Sequence, residues 1–158
     1  MNDLIITSTS FANNTSIPKK HTGYGEDISP AFNIDCIGDN VVSLAIIMDD
    51  LDIPFLGALN HWLIWNIPKT NYIAENIPYG PNPKCEFGNA VQGMAWGKKR
   101  YRGPKQPIFI HKAHRYSFQF YALDTFIDLD SSNGKNDLLK AMQGHILKTG
   151  SIVGIYKR

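Results

Sequence analysis

Five side chains of types that bind ligands or carry protons lie at the ends of apolar runs in this 158-residue chain: Asp50, Asp52, His61, His114 and Tyr116. In IIMDDLDIPFLGALNHWLIWNIP, Ile46 to Pro68, the carboxylates of Asp49, Asp50 and Asp52 follow one such run, and His61 opens the next. Residues two apart in an extended segment point to the same side, so Asp50 and Asp52 can converge while Asp49 points away as a surface acid. HRY, His114 to Tyr116, opens a third run that ends at Asp124. An aspartate accepting from one ring nitrogen raises the basicity of an imidazole and leaves the other nitrogen for a ligand. Gathered at one sheet edge, these groups would line a small polar pocket on apolar walls. Scattered, they are solvated turn acids and satisfied strand-end histidines. Spacing alone leaves both readings open.

The elements that must position these groups are mostly strands. Leu4 to Thr7, Val41 to Met48, His61 to Ile67 and Arg115 to Leu123 are rich in β-branched and aromatic residues and bounded by turn residues. The second and third are apolar nearly throughout, which suits strands covered on both faces. Nine prolines and thirteen glycines fall mainly between the runs, giving long connections of the kind that carry binding groups. One helix is predicted in NDLLKAMQGHILKTG, with Leu138, Leu139, Met142 and Ile146 on one face, Asn136 as N-cap and Gly150 as stop. A short final strand, SIVGIYKR, would follow. Strands first and a helix late in the chain predict a mainly β fold, a sheet sandwich with a peripheral helix.

Composition narrows the function classes. The chain is 43% hydrophobic and 19% charged, with no repeat or linker, so 1–158 reads as a single domain. Mean hydropathy is −0.23 and no window approaches the ~20 apolar residues of a transmembrane helix. The first residues do not read as a signal peptide, so a cytoplasmic location is the expectation. Cys36 and Cys85 stand apart without a CxxC, which suggests free thiols. A net charge of +2 is too mild to argue for nucleic acid or a membrane surface. The basic stretch GKKRYRGPK, Gly97 to Lys105, could bind phosphates of nucleic acid or lipid but reads more readily as a solvated loop or as a surface that steers anions, and Trp62, Trp65 and Trp96 read as core. Asp50, Asp52, His61 and His114 are suitable metal ligands in type, but no HExxH or tight pair accompanies them, and no GxSxG supplies a nucleophile. No metal, cofactor or catalysis is expected.

Taken in order, the segments resemble one family along nearly the whole chain. SFANNTSIPKKHTGYGEDISPAFNI, Ser10 to Ile34, is similar to an "IP..YT..G.D.SP" segment, with His21 where tyrosine is usual. DLDIP, Asp50 to Pro54, resembles the DPDAP box and is followed by HWLIWNIP. YRGPKQP, Tyr101 to Pro107, and HRY resemble a second motif, and MQGHILKTGSIVGIYKR resembles a prokaryotic C-terminus. The family is that of the phosphatidylethanolamine-binding, or Raf kinase inhibitor, proteins, in its bacterial and archaeal branch.

The resemblance implies two packed antiparallel sheets with peripheral helices and an anion-binding pocket at one end. It carries pocket roles to Asp50, Asp52, His61, Gly103, Pro107, His114 and Tyr116. It implies a non-catalytic binding protein for a small anionic or phosphorylated ligand, with loop backbone N–H groups near Gly103 among the donors and the acids orienting imidazoles or receiving an ammonium. The alternative is a protein-interaction module inhibiting a kinase or serine protease through Ile108 to Ala113; homodimerisation stays open. The chain departs from the pattern at Leu51, Ile53 and Gln106, where a pocket wall becomes polar and more flexible. It departs again at IFIHKA, which sets Ile108, Phe109, Ile110 and His111 near the rim.

Overall fold

The computed structural model describes residues 3–158. Strands β1 (Ile5–Thr7), β3 (Phe32–Asp35) and β6 (Tyr72–Ile73) form a small sheet in the order β1-β3-β6. The main sheet has the order β2-β11-β10-β4-β5-β9, from β2 (Thr15–Ser16), β11 (Ile146–Tyr156), β10 (His114–Leu123), β4 (Ser43–Ile53), β5 (Gly57–Pro68) and β9 (Val91–Gln92). A two-stranded hairpin, β7 (Lys84–Cys85) and β8 (Gly88–Asn89), stands beside them. All pairings are antiparallel except the two-residue β11 and β2 contact. The fold is mainly β, as expected, with an α-helix, α1 (Lys135–Met142), near the C-terminus and a 3-10 turn at Lys19–His21.

Strand alternation divides the apolar residues of β4, β5 and β10 between two cores. Ile46, Met48, Trp62, Ile64, Phe118 and Phe120 face the small sheet, where Phe32 and Ile34 meet them. Ala45, Ile47, Leu63, Trp65 and Leu123 face the other way, under Leu138 and Met142 of α1. Burial on both faces is what the unbroken apolar runs required.

Several boundaries differ from the sequence reading, each for a local reason. β4 does not stop at Met48 but runs through the acidic segment to Ile53, because Asp49, Asp50 and Ile53 continue the ladder opposite Asn60, Leu59 and Gly57. His61 therefore lies inside β5 and not at its start. The helix begins after Gly134 and ends at Met142, so Asn136 lies within its first turn and Ile146 belongs to the next strand. Gly144, at φ 82°, turns the chain out of the helix in the left-handed conformation that glycine adopts without strain. The last strand consequently has 11 residues and contains Gly150, which lies against Leu4 of the N-terminal segment.

Candidate functional site

β4, β5 and β10 are neighbours in the main sheet, and their adjacent ends bring Asp50, His61, His114 and Tyr116 to one cleft. Pairing places Tyr116 opposite Asp50 across β10 and β4, and Asp50 opposite Leu59 across β4 and β5. The cleft holds about 230 Å³ and is walled mostly by apolar groups, among them Ile53, Pro54, Leu59, Trp96, Pro107 and Ile110. Lys105 and Gln106 complete the lining.

Asp50 is the centre of the polar set. Its Oδ2 lies 2.7 Å from His114 Nδ1, and its Oδ1 accepts the backbone N–H of Asp52 at 2.9 Å. Both side chains of the Asp50 and His114 pair are buried. Burial, with the neighbouring Asp50 carboxylate second, pushes the Tyr116 phenol far above its ordinary pKa, so it remains a neutral hydroxyl. His61 is oriented by a different device. Its Nδ1 lies 2.8 Å from the backbone carbonyl of Arg102, an acceptor only, so Nδ1 carries the proton. Desolvation lowers the His61 pKa, outweighing the opposing pull of that carbonyl and of Asp50. Since both histidines donate through Nδ1, each Nε2 is an unpaired acceptor when its ring is neutral.

Of the seven residues assigned to the pocket, Asp50, His61, Pro107, His114 and Tyr116 line this cleft. Asp52 does not: a register shift between Asp50 and Ile53 breaks the two-residue alternation on which convergence depended. The Asp52 carboxylate turns to Arg115, accepting from its Nε, its Nη2 and its backbone N–H at 3.0, 2.9 and 2.7 Å. Those bonds hold Asp52 below its ordinary pKa. Gly103 is also outside the cleft lining, and its N–H donates to Asp27 Oδ1 at 2.7 Å, so it is not a free donor. Asp49, read as a surface acid, is half-buried and takes Lys135 of α1 at 2.6 Å.

The flexible polar wall expected at Gln106 is a fixed one. The residue is buried, its Nε2 donates to the Tyr156 carbonyl at 3.1 Å, and its Oε1 has no partner. Trp62 and Trp65 are core residues, whereas Trp96 is half exposed at the rim, with the Arg102 guanidinium 4.0 Å above its ring. Lys105, read as part of a solvated or anion-steering loop, and Trp96, read as core, both line the cleft. A second, cationic cleft bounded by Arg100, Arg102 and Lys105 shares both of them with the first. Cys36 and Cys85 are free. Among the described residues no group of three His, Cys, Asp or Glu side chains converges as a metal-ligand set, and no helix is long and apolar enough to cross a membrane.

His21 and His61 are both buried with lowered pKa values, desolvation being the main cause in each. The unfolded chain therefore binds more protons than the native one below the ordinary histidine pKa of 6.5. Their contribution to stability is intact above that value and is lost as pH falls through it. Thermal melts of the ligand-free protein are expected to move to lower temperature between pH 7 and pH 5, and less so in His21→Gln. A flat profile in the wild type would contradict this.

A family model described as phosphatidylethanolamine-binding protein matches residues 7–157. A UPF0098 protein of Pyrococcus horikoshii is 41% identical over 152 residues, covering 96% of this chain and 75% of the relative. A UPF0098 protein of Methanothermobacter thermautotrophicus is 41% identical over 145 residues, covering 90% and 91%. Among solved structures, a Chlamydia trachomatis protein described as a homolog of phosphatidylethanolamine-binding proteins is 31% identical with a TM-score of 0.86, covering 100% of this chain and 99% of the other. Escherichia coli YbcL, described as a member of the mammalian family, shares the fold at 22% identity, with a TM-score of 0.87 and 99% of each chain covered. The chain belongs to the phosphatidylethanolamine-binding protein family.

Proposed function

We propose that this protein is a non-catalytic binding protein whose cleft takes a small phosphorylated or otherwise anionic head group. The observation that carries the reading is the pair of imidazoles on one cleft, each fixed through Nδ1 and each with Nε2 free. Two neutral rings beside Asp50 would present lone pairs to an anion, so binding requires protons. A phosphate monoester, with a second pKa of about 6, can bring one as P–OH and donate it to Nε2. Alternatively a ring is protonated and donates to a phosphoryl oxygen. Lys105 on the rim supplies further positive charge. Catalysis is not part of the proposal.

Phosphate or phosphoethanolamine affinity is expected to fall as pH rises from 5 to 8, by up to about tenfold per pH unit where one proton is linked to binding. Calorimetry in two buffers of different ionisation enthalpy would read both the affinity and the proton uptake. His61→Ala should weaken binding about ten- to hundred-fold, the cost of one hydrogen bond to a charged group. PH-independent binding, or unchanged binding in His61→Ala, would overturn the proposal.

A further inference from the structure

The cationic cleft beside the head-group cleft holds about 240 Å³, and its charges are unbalanced. Arg100, Arg102 and Lys105 face a single acid, Asp27. That acid is already engaged: its Oδ2 lies 3.3 Å from Arg100 Nη1, and its Oδ1 accepts the Gly103 N–H at 2.7 Å. Arg102 donates from Nη1 to the Trp96 carbonyl at 2.7 Å, and Lys105 has no ion pair among the described residues. Most N–H groups of the three cations therefore lack an anionic partner. Both guanidiniums are held in place, Arg100 at 4.3 Å over the Tyr79 ring and Arg102 at 4.0 Å over Trp96. Desolvation, with the Arg100 charge second, lowers the Arg102 pKa, as befits two guanidiniums held close with too few carboxylates. An anion seated between them removes that repulsion, and the guanidinium fork matches two phosphate oxygens at once.

Trp96 is the partition between the two clefts, and the backbone is strained to keep it there. It opens a two-residue turn, Trp96 and Gly97, whose flanking Ala95 and Lys98 exchange backbone hydrogen bonds. Both turn residues have positive φ, 44° and 75°. Asn, Asp or Gly is favoured at the first such position, and an aromatic residue is not. The indole placed there has the His61 ring 5.2 Å away, centroid to centroid, and the Arg102 guanidinium over it. An imidazole of one cleft and a guanidinium of the other thus share one ring as neighbour, and Lys105 lines both clefts. We infer that the cationic cleft is a second phosphate subsite, and that the ligand is a small molecule bearing two phosphate groups, one in each cleft. Its first phosphate rests on the head-group reading above, its second on the cations alone. Two phosphates on a short skeleton bind as a chelate, since seating one holds the other at high effective concentration.

Ethylene glycol monophosphate and ethylene glycol bisphosphate are the probes, with calorimetry of the full chain for affinity and amide NMR titration for location. The wild type should bind the bisphosphate about tenfold more tightly or better, with shifts around both clefts. Arg100→Gln and Arg102→Gln should each reduce that preference to about threefold or less and remove the shifts around Gly103. Lys98→Gln takes an equal charge from the same loop but outside the cleft lining, and should keep the preference within about twofold. His61→Ala should lose the shifts around the head-group cleft and keep those around the cationic one. Were the head-group reading wrong, His61→Ala would change nothing, while Arg102→Gln would still lose phosphate from its own cleft. Equal affinity of the wild type for the two compounds, no shifts around Arg100 and Gly103, an unchanged preference in both arginine variants, or an equal loss in Lys98→Gln would each overturn the inference.

Discussion

Asp50→Ala is expected to lose about 3–5 kcal/mol of stability, because it leaves two buried hydrogen-bond donors unsatisfied at about 1–3 kcal/mol each. At this chain length that corresponds to a melting temperature lower by roughly 10 °C. The reason is the number of groups that one carboxylate satisfies. It takes the His114 ring at 2.7 Å and the Asp52 N–H at 2.9 Å, and is itself buried. Truncation strands both donors in a low-dielectric setting. Asp50→Asn keeps the shape and one acceptor, so it should retain part of the loss. His114→Ala combined with Asp50→Ala should cost less than the two single changes together, since the second removes a group already unpartnered. Urea unfolding monitored by circular dichroism would measure all four proteins, and a loss below about 1 kcal/mol in Asp50→Ala would show that the pair is not needed for the fold.

The second large effect is expected at Gly103, whose importance is steric. A Cβ there would lie 2.0 Å from the His21 carbonyl oxygen and 2.9 Å from Asp27 Oδ1. Neither neighbour is free to retreat: the carbonyl also accepts Tyr101 Oη–H at 2.7 Å, and the carboxylate accepts the Gly103 N–H at 2.7 Å. Gly103→Ala should therefore cost at least about 1–3 kcal/mol, the range for overpacking a tight site. It should also shift Arg102, whose carbonyl fixes His61, so head-group affinity should fall even in the fraction that folds. Denaturation and phosphate titration on the same preparation would read the two effects. Native stability with native affinity in Gly103→Ala would refute the steric account.

The apolar strands were legible because β-branched runs covered on two faces have few alternatives. The end of β4 was not. Aspartate is depleted in strands, so DDLDIP reads as a turn, yet here the acids meet Lys135, His114 and Arg115, and the ladder continues beneath them. The spacing of Asp50 and Asp52 misled for a related reason: parity along a strand predicts a shared face only if the pleat is unbroken, and a bulge leaves no mark in side-chain type. The helix overran because Ile146 happens to extend the apolar period of Leu138, Leu139 and Met142, while Gly144 decides the stop. Four of the seven site residues, Asp50, His61, His114 and Tyr116, were recognisable from residue type and strand position, and Pro107 only through the family motif. The partner of His61 could not be found in this way, since a backbone carbonyl is written into every residue alike.

That last fact bears on how the protein can change over generations. A carbonyl is the same whichever residue bears it, so the tautomer of His61 is indifferent to the identity of position 102, provided the loop keeps its course. The Arg102 side chain, stacked on Trp96 and facing the cationic cleft, is thereby left open to selection on its own account. Descendants of this sequence can alter the charge at the cleft mouth by a single codon without disturbing the imidazole behind it.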